Sequence, residues 1–294
     1  MDLALPGLHL RSGFVEWASQ MPFETDGFFS PEIAKFRHAV RTTQPFRAWF
    51  DYALGLNRIG FDLLRHATTR PIDRRLFTIY GHFVRVHHTF QGALLVAERG
   101  MASNARILVR GGIESAIALC ALSRDETFVD QMIAAHRLHQ RNIARVVLDN
   151  PEYAATYPEE EIVAMRAVVA DVDAMEAEGD WKLKEINWAD VASEHCPDLY
   201  QLLYRSTSSD GIHATIASLN RFVVADENMQ ITAFTVAPDT EGLVEALSAA
   251  CLLFIWAADP FAAAFDRPDV SDELMKQVQL FAKLPNAFPG QSRP

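Results

Sequence analysis

The stretch that decides the fold is residues 101–125, which read MASNARILVRGGIESAIALCALSRD. Between positions 107 and 122 its only charged side chains are Arg110 and Glu114. A helix that is apolar on every side is normally buried. The two opposite charges are four residues apart, so they share one face of such a helix and can reach each other. The sequence therefore predicts a buried central helix that carries an ion pair.

The chain around this helix has the patterns of further helices. Apolar residues recur at intervals of three and four between positions 46 and 66, which is the helical period. Asp73 is a suitable N-cap for the next helix, and Gly100 is a suitable end for it. Short links between successive helices favour antiparallel neighbours in a bundle. We predict an all-α, multi-helix bundle that forms a single domain over residues 1–294.

Three helix boundaries follow from local signals. Ser103 or Asn104 is the expected N-cap of the central helix, and Ser271 is the expected N-cap of the last one. The long apolar helix that begins near Thr240 should be interrupted at Asp259-Pro260, because proline lacks the backbone donor of a helix interior.

Three segments depart from the bundle pattern. Residues 151–190 are strongly acidic with a narrow apolar stripe, and we expect an acidic peripheral helical insertion there. Two β-branched runs on either side of Asp226-Glu227-Asn228 predict a small β-hairpin near residues 222–236. Residues 285–294 are expected to form a flexible tail.

The composition excludes several classes of protein. Hydrophobic residues make up 49% and charged residues 22%, as in ordinary globular proteins. The net charge of -11 opposes non-specific attraction to nucleic acid or anionic lipid. The longest uncharged run, residues 246–258, is shorter than the roughly 20 residues that span a bilayer. Three widely spaced cysteines suggest neither a disulfide framework nor a zinc site. We expect a cytoplasmic protein without a membrane partner.

The central ion pair needs polar partners, because a buried charge is costly unless it is paired and hydrogen-bonded. The segment LYRSTSSDGIHA, residues 203–214, offers them. Arg110 and Glu114 are either a ligand clamp, which Arg106 would extend by one turn, or a structural pair that fixes helix register. Ser209 and His213 are four residues apart, so they are either a nucleophile with its base or hydrogen-bonding core residues.

Other charged positions have a functional and a structural interpretation. His82, His87, His88, His136 and His139 lack the Glu-x-x-His partners of di-metal bundles, so helix packing or solvation is favoured over metal binding. A row of arginines on the helix after the central one either binds RNA phosphates or pairs with the acidic helix at residues 158–178. That row consists of Arg137, Arg141 and Arg145.

The two polar stretches together resemble a family of helical prokaryotic proteins catalogued as a domain of unknown function. Its pattern is Arg-x-x-x-Glu on a central helix, followed later by Tyr and then Ser-x-x-x-His. In this sequence the matching residues are Arg110, Glu114, Tyr204, Ser209 and His213. The resemblance covers about residues 76–222 and implies a helical fold.

A more distant resemblance is to HEPN domains, small helical bundles that often dimerise and include many metal-independent ribonucleases of defence and toxin systems. Their active site is an Arg, commonly followed by a polar residue, a few positions before a His. Arg205-Ser206 and His213 resemble this motif, with seven residues between Arg and His, a wider spacing than the family's. The resemblance implies that Arg205 stabilises the scissile phosphate and His213 transfers protons, with no metal or cofactor.

Two hypotheses for the function follow. The first is a homodimeric, HEPN-like ribonuclease of a defence or toxin-like system, with Arg205, Ser209 and His213 at its catalytic site. The alternative is a non-catalytic ligand-sensing or regulatory domain. In that case a polar cluster around Arg106, Arg110, Glu114 and Tyr204 would bind a small anionic ligand.

Overall fold

The computed structural model of the chain describes residues 23, 26–67, 73–179, 183–204, 207, 222–226, 228, 230–234 and 237–285. Within these residues the protein is a helical bundle with one short two-stranded sheet. The predicted all-α fold with a small β-hairpin is confirmed.

The elements have the following bounds. In chain order the α-helices are α1 (Ile33–Thr42), α2 (Phe46–Ala67), α3 (Arg74–Ala97), α4 (Ala102–Arg124), α5 (Phe128–Leu148), α6 (Pro151–Ala154), α7 (Glu159–Glu178), α8 (Trp188–His195), α9 (Pro197–Leu199), α10 (Leu243–Ala264) and α11 (Pro268–Phe281). A 3-10 turn, Gly27–Phe29, precedes α1, and a π-helical turn, Tyr200–Tyr204, continues directly from α9. The strands are β1 (Val223–Ala225) and β2 (Ile231–Phe234).

Side-chain caps and one glycine set several helix ends. The Asp73 carboxylate accepts a hydrogen bond from the Leu76 backbone N–H and so begins α3 where the sequence predicts. Gly100 ends the turn after α3 with a φ of 77°, a left-handed conformation that favours glycine. A Cβ at Gly100 would also lie 2.7 Å from backbone atoms of Asp239, so no larger residue fits there.

The centre of the bundle is α4, which packs between α3 and α10. All eight residues from Ser115 to Leu122 are buried, as the sequence predicts for a helix that is apolar all round. The approach to its neighbours is closest at Gly112. A Cβ added there would lie 2.8 Å from Leu253 on α10 and 3.0 Å from Thr89 on α3. Glycine at this position therefore permits the tight helix crossing.

Helix α10 is the most apolar element of the bundle. It is long and apolar enough to cross a membrane by length and composition, yet 72% of its most apolar window is buried inside the protein. Phe254 and Phe261 lie on its buried face, and the Phe261 ring stacks on Phe83 of α3 with 4.1 Å between centroids. Its apolar surface is therefore used in packing against α2, α3 and α4.

Three predicted boundaries were wrong. Helix α4 begins at Ala102 after Met101, and neither Ser103 nor Asn104 caps it. Helix α10 runs through Pro260 without interruption. A proline inside a helix costs about 3 kcal/mol, and the burial of apolar residues on both sides of it outweighs that cost. Helix α11 begins at Pro268 rather than at Ser271, since proline suits the first helical position.

The acidic helix α7 packs against α5, and Ile162 and Val172 are its buried residues. The strands β1 and β2 pair antiparallel, with Val223 opposite Phe234, in the predicted hairpin. Asp226 holds the turn, because its carboxylate accepts hydrogen bonds from backbone N–H groups of Asn228 and Gln230.

Candidate functional site

Arg110 lies in the middle of α4, and only 6% of its surface is exposed. Its guanidinium lies flat over the ring of Tyr204, with 3.7 Å between Cζ and the ring centroid. A desolvated cation–π contact of this kind is worth about 2 kcal/mol. The structure thus brings the central helix together with a segment more than ninety positions later in the chain.

Glu114 is the second partner of Arg110. One Oε lies 3.4 Å from Nη1 of the guanidinium, at the long end of a hydrogen bond. The Glu114 side chain is 42% exposed, in contrast to the buried arginine. Solvent screens an ion pair with one exposed partner, which limits its contribution to about 1 kcal/mol or less. Tyr204 therefore contributes more than Glu114 to stabilising the buried guanidinium of Arg110.

The π-helical turn Tyr200–Tyr204 explains how Tyr204 reaches Arg110. The rings of Tyr200 and Tyr204 stack with their centroids 4.7 Å apart and their planes 20° apart. Leu203 between them is buried in the core and anchors the turn. Tyr200 was not a predicted site residue, although two tyrosines spaced by four residues were visible in the sequence. Single π-helical turns often lie at functional sites.

One donor of Arg110 has no partner in the described part of the chain. Its Nε is buried and makes no hydrogen bond there. Buried polar groups in folded proteins are nearly always satisfied by protein, water or ligand. The predicted site residues Arg205, Ser209 and His213 follow Tyr204 and lie outside the described residues. The Nε donor of Arg110 is therefore available to a water molecule or a ligand.

Arg106, one turn before Arg110, is half-buried and lines a separate cavity of about 530 Å³. The cavity lies where α4 and α10 begin, next to Gly100 and Gly242. Its other charged lining residues are Asp239, Glu241 and Glu245. Carboxylates outnumber the guanidinium in this lining, so the cavity does not favour an anion. An anionic ligand is better placed at Arg110.

The predicted basic row on α5 is largely occupied by ion pairs with α7. Arg141 is buried and donates hydrogen bonds to the carboxylates of Asp173, at 2.9 Å, and Glu176. Nη2 of Arg145 donates hydrogen bonds to both carboxylate oxygens of Asp173, each at 2.8 Å. In the third arginine of the row, Arg137, Nη1 lies 3.9 Å from Oδ2 of Asp171. Pairing with the acidic helix, one of the two sequence interpretations, is what the structure shows. Arg141, which is buried, is therefore paired with α7 rather than presented to RNA phosphates.

The histidines on α3 and α5 lie in different environments. His87 is buried among aromatic rings, His82 is half-buried, and His88, His136 and His139 are exposed. In the part of the chain that the structure describes, no group of three or more His, Cys, Asp and Glu side chains is arranged to hold a metal ion. Of these histidines, His87 has the helix-packing role that the sequence favours over metal binding.

Comparison with known proteins places the chain in a family. No curated protein matches it, and no solved structure matches it. The model of one family, described as a family of unknown function (DUF5677), matches residues 76–230, which is more than half of the chain. The match includes α4 and the π-helical turn, and hence Arg110, Glu114 and Tyr204. The helical protein described above therefore belongs to the family of unknown function DUF5677.

Proposed function

We propose that the protein is a metal-independent endoribonuclease in which Arg205 and His213 act on the RNA phosphodiester. The observation that carries the proposal is the stacking of Arg110 on Tyr204, because Tyr204 directly precedes Arg205 in the chain. The similarity to HEPN domains stays a prediction from the sequence, and it supplies the chemical roles assigned to Arg205 and His213.

In this proposal Arg110 is a positioning residue. Moving Tyr204 away from the guanidinium would lose the cation–π contact, which is worth about 2 kcal/mol. The π-helical turn is therefore held in one place against α4, the central helix of the bundle. This arrangement would fix the start of the segment that contains Arg205 and His213, and such preorganisation is what a catalytic pair requires.

The proposed reaction is an intramolecular transesterification. The 2'-hydroxyl of the ribose attacks the adjacent phosphorus, and His213 accepts its proton. The bond from phosphorus to the 5'-oxygen of the next nucleotide breaks, and that oxygen takes up a proton. The Arg205 guanidinium stabilises the negative charge that develops on the phosphate oxygens. The products are a 2',3'-cyclic phosphate and a 5'-hydroxyl.

A second candidate is a non-catalytic domain that senses a small anionic ligand. The observation that favours it is the buried Arg110 Nε, a donor without a partner in the described residues. A guanidinium recognises carboxylate and phosphate groups in a forked geometry. Since Tyr204 covers one face of Arg110, such a ligand would approach its edge beside the half-exposed Glu114.

Cleavage of RNA in the presence of a chelator tests the first candidate. Purified protein should convert a labelled RNA into products that end in cyclic phosphate, and the His213→Ala variant should lose roughly 100-fold or more of this rate. The exposed His136→Ala variant, prepared in the same way, should retain it and so controls for contaminating nucleases. Intact RNA together with thermal stabilisation by inorganic phosphate would contradict cleavage and support the sensor.

The role of Arg110 is tested by measuring kcat and KM separately for Arg110 variants. Arg110→Ala should lower kcat by about 10-fold or more with a smaller change in KM, since a misplaced catalytic segment impairs the reaction rather than RNA binding. Arg110→Lys keeps the charge but loses the planar stack on Tyr204, so it should recover only part of the rate. Equal kcat in all three proteins would show that Arg110 has no part in the reaction.

The proposed setting is a defence or toxin-like system of the cytoplasm. A ribonuclease of this kind should arrest growth when it is expressed in a bacterial host, and His213→Ala should relieve the arrest at equal protein level. Arrest by both proteins alike would dissociate the growth effect from RNA cleavage.

A further inference from the structure

Two of the three cysteines meet in the core, although 76 positions separate them in the sequence. Cys120 lies near the end of α4, and Cys196 lies at the junction of α8 and α9. Helices α4 and α8 pack against each other, and they place the two thiols next to one another in the core. A disulfide between these neighbouring thiols requires the side chains to bring the two sulfurs to an S–S distance of about 2.05 Å.

The surroundings make the two thiols chemically unequal. The hydrogen bond from Cys120 lowers the pKa of Cys196, and the nearby Arg124 guanidinium lowers it further. The same hydrogen bond, together with burial, raises the pKa of Cys120. Cys196 is therefore the thiol that forms a thiolate more readily, and the thiolate is the nucleophile in disulfide exchange.

The third cysteine provides an internal comparison. Cys251 is fully buried in α10, and burial alone raises the pKa of its thiol. Cys120 and Cys196 are 5% and 2% exposed, so a small reagent reaches them when the α8–α9 segment opens briefly. The pair thus differs from Cys251 both in having a thiol neighbour and in lying at a junction between short helices.

The position of Cys196 links this pair to the Arg110 site. Cys196 accepts a backbone hydrogen bond from Tyr200, the first residue of the π-helical turn. On the other side, Arg124 of α4 donates a hydrogen bond to the His195 carbonyl. The segment that carries Tyr204 to Arg110 therefore starts at the cysteine that touches α4.

We propose that Cys120 and Cys196 are a redox site, which forms a reversible disulfide that ties the α8–α9 junction and the π-helical turn to α4. The oxidant is a small disulfide such as oxidised glutathione. This inference does not depend on the proposed ribonuclease activity.

The reaction balances in two exchange steps. The Cys196 thiolate attacks one sulfur of the small disulfide, and a small thiolate leaves. The Cys120 thiol then loses its proton to that leaving thiolate, and its sulfur attacks Cys196 and displaces the second small thiol. Two protein S–H groups become one S–S bond, and the small disulfide is reduced to two thiols.

The test is equilibration of the full chain with oxidised and reduced glutathione, followed by acid quenching, alkylation of free thiols and peptide mass analysis. We expect a peptide pair that links Cys120 to Cys196, with Cys251 alkylated. Cys251→Ala should form the same link, and Cys196→Ala should form none. If all three thiols of the folded wild-type chain are alkylated, or carry only glutathione, the redox site does not exist.

A second measurement tests the tie to the π-helical turn. In the oxidised chain the amides of Tyr200–Tyr204 should exchange hydrogen several-fold more slowly than in the reduced chain, because the cross-link suppresses local opening. The melting temperature should rise by roughly 5 °C on oxidation, since the bond closes a long loop. Exchange that is unchanged in a chain shown by mass to be oxidised would overturn the structural consequence.

Discussion

His87 shows how one buried side chain ties the bundle's stability to pH. Its ring lies between Phe83 of α3 and Phe254 of α10, and only 1% of the residue is exposed. Its Nε2 lies 2.9 Å from the side-chain oxygen Oδ1 of Asn57, which also accepts a hydrogen bond from the Gln91 side chain. These buried, apolar surroundings favour the neutral form of the His87 imidazole. Burial, with the nearby His88 as a second cause, lowers the pKa of His87 to about 4.

The sign of the pH effect follows from this shift. The pKa of His87 in the unfolded chain is near its ordinary value of 6.5. Between that value and about 4 the unfolded chain binds a proton that the folded chain excludes, so the free energy of unfolding falls as the pH falls through this window. Lowering the pH from 7 to 5 should cost about 2 kcal/mol through His87, measured by urea unfolding.

His87→Gln is the variant that tests this effect, because glutamine can still donate to Asn57 but does not titrate. Its loss of stability between pH 7 and pH 5 should be smaller than that of the wild type by about 2 kcal/mol. The variant His136→Gln, at an exposed position of α5, should behave like the wild type. A pH dependence that is the same in all three chains would show that His87 is not protonated on unfolding.

Residues of the polar cluster show what sequence could and could not locate. The charges of Arg110 and Glu114 were conspicuous inside an apolar helix, so the sequence was sufficient to single them out. That Tyr204 rather than Glu114 covers the guanidinium depends on a π-helical turn, and no residue pattern specified that turn. The different exposure of Arg110 and Glu114 also depends on which neighbours pack over α4.

At the scale of elements, the crossing of α3, α4 and α10 depends on glycine at position 112. A Cβ at this position would overlap Leu253 and Thr89, whereas a Cβ at Gly111 meets nothing within 4 Å. The two adjacent glycines therefore form a matched pair for substitution. The structure shows which of the two adjacent glycines permits the tight helix crossing.

Gly112→Ala should destabilise the protein by about 1–3 kcal/mol, because overpacking forces the helices apart or their side chains off rotamer. Gly111→Ala should leave stability unchanged or raise it by up to about 1 kcal/mol, since alanine is the better helix former. Urea midpoints of the two variants measure the difference. Equal midpoints would mean that Leu253 and Thr89 move aside without cost.

Helix boundaries failed where tertiary packing opposed a local signal. Pro260 was a sound reason to end α10, yet burial against α2, α3 and α4 keeps the helix continuous. Asp73 succeeded as a predicted cap, because its carboxylate accepts a hydrogen bond from a backbone N–H within its own turn. Local signals are reliable when the interaction that they predict is itself local.

At the scale of the whole molecule, three large apolar side chains are exposed on the neighbouring helices α3 and α4. They are Leu95, Ile107 and Leu108, with 55%, 43% and 38% of their surfaces exposed. The homodimer expected from the sequence stays a prediction, and we place its interface at these side chains.

Sedimentation of the wild-type chain and of Leu108→Glu tests the dimer. The wild type should sediment as a dimer at micromolar concentration, and the variant should dissociate at least 10-fold more readily, because a charge would be buried without a partner. The control Val163→Glu, on the exposed face of α7, should leave the association unchanged. If the wild-type chain sediments as a monomer, the predicted homodimer is wrong.

The sequence by itself determined the all-α class, the buried central helix, the hairpin and the acidic helix. Each of these follows from periodicity, composition or capping, which are properties of neighbouring residues. Only the tertiary structure decided that Tyr204 lies on Arg110, that α7 neutralises the arginines of α5, and that Cys120 meets Cys196. These contacts join residues far apart in the chain, and their partners are chosen by how the helices pack rather than by any local preference.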